Sequence, residues 1–181
     1  MTLSLYDMTI PVLTRALKNT HALVQKAESW CKENGKPESE MLEARLSPDM
    51  NTFVFQIRAC CMLSRSCTLT DAWGWAPSST ALDGEDSLAG LAGALQKEIQ
   101  RLEALKKEDV DGREGNRCHL WTSGIEGVGF EADFADGIKF LNQFGLPNFW
   151  FHNSIAYGLC RMKGVPLGKV DFLMGGGPLD F

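Results

Sequence analysis

Ile10, Leu13, Leu17, Thr20, Val24, Ala27 and Cys31 recur at steps of three and four, while positions 14, 15, 18, 25, 26 and 28 are polar. That spacing predicts a helix with one wet side, opened by Thr9 and Pro11 and closed by Lys32 and Gly35. The segment EMLEARL predicts one or two further turns. Ser47-Pro48-Asp49 reads as a second helix start, with an oxygen-bearing cap, proline at the first position and an acid in the first turn. This helix is expected to run to Cys67, with Met50, Val54, Ile57, Cys61 and Ser64 facing inward. Asp86 or Ser87 caps a third, whose apolar face is Leu88, Leu91, Leu95, Ile99, Leu102 and Leu105. Lys97, Glu98, Gln100, Arg101 and Glu103 are assigned to its wet or mixed side.

Beyond a charged, glycine-punctuated connection, Trp121, Ile125, Val128 and Phe130 around two glycines predict a small β-hairpin. Asp133 to Phe144 makes a short helical approach to the last helix. Pro147 suits its first turn, Phe149, His152, Ala156 and Leu159 share a face, and Arg161, Lys163 and Gly164 fit its end. Pro166 forbids continuation, so an extended stretch is expected, followed by a loose glycine-rich tail from about residue 174.

Four long amphipathic segments joined by loops predict an all-α fold, an antiparallel four-helix bundle with a hairpin inserted between the third and last helices. No repeat or linker divides residues 1–181, so a single domain is expected. Hydrophobic content of 44% and charged content of 23% are ordinary for a globular chain. A net charge of −5 argues against a nucleic-acid partner. No apolar run approaches the roughly 18 residues needed to span a bilayer, and the N-terminal stretch lacks the pattern of a secretion signal. No membrane partner and a cytoplasmic setting are therefore expected. The six cysteines, at 31, 60, 61, 67, 118 and 160, show no C-x-x-C spacing and read as small apolar core residues.

The chemistry is sparser. Three histidines, none four residues from another, make a poor metal set, and no phosphate loop, dinucleotide fingerprint or nucleophile elbow is present. No metal or cofactor is expected. His21 borders the first apolar stripe, and His119 falls in the hairpin, exposed and without an evident partner. His152 stands among Phe149, Trp150 and Phe151 on the inward face of the last helix. A histidine there serves either as a general acid or base or as a hydrogen-bonded core residue. Asp49 and Gln56, seven residues apart, fall on one side of the second helix, where capping and a loop hydrogen bond are the plain alternatives to catalysis. Trp73 and its neighbours up to Pro77 form an aromatic loop suited to rim a pocket or to cover a bundle end.

SLYDMTIPVLTRALKN, ARLSPDM followed by Gln56, and the closing LPNFWFHNSIAYGLCRMKGVPLGKVDFL resemble a domain-of-unknown-function family placed among the DinB/YfiT-like four-helix bundles. The resemblance covers nearly the whole chain and implies a bundle with a crossover topology, expected as a homodimer. Metal-binding DinB-like proteins use one histidine of the second helix and a pair spaced by four on the last, and some act as thiol transferases. His152 matches the first of that pair, Ala156 stands in place of the second, and the second helix carries no histidine. The family positions that the resemblance marks are Arg45, Asp49, Gln56, His152, Tyr157 and Arg161.

Three functional expectations follow. The first is a metal-independent enzyme of isomerase, lyase or cyclase type acting on a small organic molecule. In it His152 and Asp49 are catalytic, and Gln56, Arg45, Tyr157, Trp73 and Trp150 bind substrate. The second is a non-catalytic small-molecule-binding or dimer-forming protein. The third is a DinB-like metal-dependent thiol transferase.

Overall fold

The structure is a computed structural model, and it describes residues 4–69, 87–121 and 127–179. Four long helices carry the core: α1 (Leu5–Glu33), α3 (Phe53–Ser66), α4 (Leu88–Ala104) and α7 (Leu146–Lys163). Short helices α2 (Ser39–Leu42), α5 (Lys107–Val110) and α6 (Gly137–Phe140) fall in the connections, and α8 (Lys169–Met174) follows α7. Strands β1 (Cys118–Trp121) and β2 (Glu131–Phe134) pair antiparallel, Cys118 opposite Phe134 and Trp121 opposite Glu131. Helix α1 packs chiefly on α4, and α3 chiefly on α7. The expected bundle and its inserted two-stranded sheet are both present.

The stripes read from the sequence form the core. Ile10, Leu13, Leu17, Val24, Ala27 and Cys31 of α1 are buried, as are Leu88, Leu91, Leu95, Ile99 and Leu102 of α4. Each fully buried Leu or Ile contributes about 1.5–3 kcal/mol of transfer free energy. All six cysteines are buried thiols. No helix among the described residues is long and apolar enough to cross a membrane.

Several boundaries differ from expectation, each for a local reason. Helix α1 begins at Leu5, not at Thr9, because Ser4 and Asp7 form a capping box: the Ser4 hydroxyl accepts from Asp7 N at 3.3 Å and the Asp7 carboxylate from Ser4 N at 3.4 Å. Pro11 therefore lies inside the helix. Ser47-Pro48-Asp49 does not open α3. It forms a turn in which Met50 N donates to Ser47 O at 3.0 Å, and Ser, Pro and Asp in that order suit a type I turn as well as a helix start. Thr52 caps α3 instead, accepting from Phe55 N.

The segment after Pro166 is not wholly extended. Asp171 accepts from Gly168 N at 2.7 Å and opens α8. The tail expected to be loose from about 174 is tied to α1. Asn19 donates to Phe172 O at 2.9 Å and accepts from Gly176 N at 2.9 Å, and Arg15 donates to the carbonyls of Gly177 and Pro178. Gly176 lies so close to α1 that a Cβ would stand 2.6 Å from the Lys18 backbone. Asp133 and Phe134, expected in a helical approach, belong to β2. Asp136 caps α6, and a π-helical turn over Leu141–Gly145 then leads into α7.

Glu98, assigned by its sequence position to the wet or mixed side of α4, is 1% exposed. Its carboxylate accepts from Ser64 at 2.8 Å, from Arg65 at 2.7 Å and from Arg101 at 2.8 Å. These partners explain how a charge is tolerated there.

Candidate functional site

Thr52 ends the loop before α3, leaving Asn51 with its carbonyl directed along the first turn of the helix. Gln56 donates from Nε2 to that carbonyl at 3.0 Å. A backbone carbonyl only accepts, so the amide nitrogen of Gln56 faces Asn51 and its oxygen faces α7. There His152 Nδ1 lies 2.6 Å from Gln56 Oε1. Because that oxygen also only accepts, His152 carries its proton on Nδ1 and keeps a lone pair on Nε2. Nε2 has no partner among the described residues, and it is not sealed from solvent.

The ring is half-buried. Burial pushes its pKa down to about 4, so it is neutral at pH 7. Two phenyl rings border it edge-on: Phe55, with centroids 5.7 Å apart, and Phe151, at 5.2 Å. These phenylalanines are 40% and 51% exposed, a high share for such large apolar side chains. The result is a neutral hydrogen-bond acceptor at the rim of an apolar patch between α3 and α7.

Of the expected site residues, Gln56 and His152 are brought together across 96 positions of sequence. The other described ones have partners elsewhere. The Asp49 carboxylate accepts from Ser47, which lowers its pKa, and Arg45 donates to Met50 O, so both side chains are engaged within the exposed loop before α3. The structure gives Asp49 no bond to His152. Trp150 and Tyr157 turn toward α8 and pack on Phe172, with centroids 6.2 and 5.5 Å away. Residues 150 and 152 are about 200° apart around a helix, which separates the two groups. Arg161 donates to Val165 O at 3.4 Å, at the end of α7. Trp73 lies outside the described residues. His119, expected without a partner, is 2.8 Å from Glu131 on the neighbouring strand.

Sequence reasoning missed a polar cluster one residue further along α7. Asn153 donates to Thr20 Oγ1 at 2.6 Å, and the Thr20 hydroxyl donates to Ala16 O at 2.8 Å. Asn153 also contacts the Cys60 thiol, whose pKa burial pushes up to about 12. Thr20 in an otherwise apolar stripe was the available signal. A thiol so protonated is a packed core group, not a nucleophile.

The residues around His152 differ from the ligand set that the divalent metal of metal-binding DinB-like bundles requires. Gln56 offers a neutral amide oxygen already used by His152, and Ala156 has no donor atom. Among the described residues no three His, Cys, Asp or Glu side chains converge. One imidazole is too few for the three or four ligands such a site requires, so the described residues do not fit this metal.

The low pKa of His152 couples folding to acidity. The unfolded histidine takes a proton near pH 6.5 and the folded one only near 4, so stability falls as pH drops through that window. The full difference would amount to about 3 kcal/mol, and solvent access to the ring reduces it to about 1–2 kcal/mol. Urea unfolding at pH 7 and pH 4.5 should show the native chain losing that much more stability than His152→Gln. Equal losses would mean that the imidazole is not held neutral.

The bundle is that of the DinB-like proteins. It is similar to the crystal structure of a DinB family member protein from Shewanella denitrificans, with a TM-score of 0.75 and 24% identity over 98% of this chain and 94% of that one. The model of a domain of unknown function, DUF1993, matches residues 5–173, and the chain belongs to that family. No curated protein matches it.

Proposed function

We propose that this chain acts on a small organic molecule at the α3–α7 face, with His152 Nε2 as proton acceptor and Gln56 as the residue that positions it. The observation that carries the reading is the Asn51–Gln56–His152 chain of hydrogen bonds, which leaves Nε2 with a lone pair that no described residue uses, beside the exposed Phe55 and Phe151. Orienting a base in this way is what general-base catalysis needs, and moving a proton requires neither metal nor cofactor. The reaction type is isomerase, lyase or cyclase. A base this weak matches an acidic proton, such as a C–H beside a carbonyl that enolises readily. The six buried thiols suit a reducing, cytoplasmic setting.

The test is hydrogen–deuterium exchange in D2O, with a panel of neutral ketones and oxo esters, with and without an added O–H or N–H group, followed by NMR. Exchange above the buffer rate, lowered about 100-fold or more by His152→Gln, is the expected result. A second reading, a binding protein without catalysis, is favoured by the ring's weak affinity for protons. Binding at His152 with no exchange for any compound would establish that reading in place of the first.

A further inference from the structure

We infer that the His152 site selects ligands carrying a hydrogen-bond donor on an uncharged apolar body and turns away carboxylates and phosphates. This rests on the reading that His152 contacts the ligand, and it adds the ligand's chemical class.

Three observations combine. The direction of the Asn51–Gln56–His152 chain is fixed at its far end by a backbone carbonyl, so Nδ1 is committed as donor and Nε2 is left as acceptor. No carboxylate bonds the ring among the described residues, so none of them holds it as an imidazolium. The flanking Phe55 and Phe151 offer carbon surface and π-electron density, with no polar atom to solvate an anion. An O–H or N–H group on a flat apolar body therefore meets a complementary acceptor and apolar walls. An anion meets a lone pair, and it binds only if the ring first takes up a proton, which burial opposes.

A site built around one committed acceptor discriminates by the donor, because removing the donor leaves its own polar atom unpaired. Phenol, anisole and benzoate share one aryl ring and differ in the donor and the charge that it carries. Phenol donates, anisole only accepts, and benzoate is an anion.

The experiment uses the full chain with 15N-labelled histidine at pH 7. Loss of its signals in His152→Gln identifies the His152 ring, and His21 and His119 serve as internal references. Phenol should move the His152 Nε2 signal and bind roughly fivefold more tightly than anisole, while benzoate leaves that signal in place. The inference is overturned if anisole binds as well as phenol, if benzoate is preferred, or if no probe moves the His152 signal. The two proposals fail separately. Donor preference without proton exchange removes catalysis and leaves the ligand class standing, whereas exchange at His152 with no donor preference removes only the ligand class.

Discussion

Replacing Glu98 by alanine is expected to destabilise the chain by about 3 kcal/mol, a fall in Tm of roughly 6–12 °C for a domain of this size. The carboxylate is buried, while the Arg65 and Arg101 side chains that hold it keep 35% and 29% of their surface exposed. Alanine would leave Ser64 without one of its partners and two guanidinium groups facing a void at the α3–α4 contact. Their partial solvation keeps the cost at the lower end of the range for a broken buried pair. Glu98→Gln retains the oxygen that Ser64 and Arg101 use and should cost about 1 kcal/mol. Urea unfolding of both variants checks this. Equal small losses would show that the cluster only decorates a face that packs without it.

Phe149→Ala is expected to cost about 3–5 kcal/mol. Phe149 is wholly buried, in the first turns of α7, three residues before His152. Losing it opens a cavity directly beneath the segment that holds the imidazole, so water should reach the ring and its pKa should climb toward the ordinary histidine value. Trp150→Ala, one position along and 37% exposed, should cost about 1 kcal/mol and leave the ring unchanged. Denaturant midpoints give the energies, and a 15N titration of His152 gives the pKa. A Phe149 variant with a native-like His152 titration would show that the site's polarity does not depend on this packing.

What the sequence conveyed well was periodicity. The stripes of α1, α4 and α7 became the core because a three-to-four repeat leaves few alternatives once one face must be dry. Signals with two meanings were less readable. Ser47-Pro48-Asp49 satisfies the demands of a turn as well as those of a helix start, and only the Thr52 cap decides between them. Pro166 announced an extended stretch but carried no information about Asp171 capping a new helix five residues later. Glu98 looked solvated because its partner Arg65 comes from a different helix, 33 positions away. Gln56 and His152 were each recognisable as polar residues in apolar surroundings. Their meeting was not, because it depends on how α3 docks on α7. Trp150 and Tyr157 were grouped with His152 by proximity in sequence, and helical phase separates them.

The double hydrogen bond at Asn19 also constrains how the chain reaches its native state. Its side chain bonds Phe172, 153 positions away, and Arg15 bonds Gly177 at a separation of 162. Helix α1 thus completes its polar contacts only after nearly the entire chain has closed into a loop, a conformational search that slows folding. Until then the polar contacts of Arg15 and Asn19 are unmade, while α4, on which α1 chiefly packs, already covers its apolar stripe. Docking of the tail is thus a late step, and the Gly176 amide, held among the described residues only by Asn19, should exchange faster than the amides of the α1–α4 core.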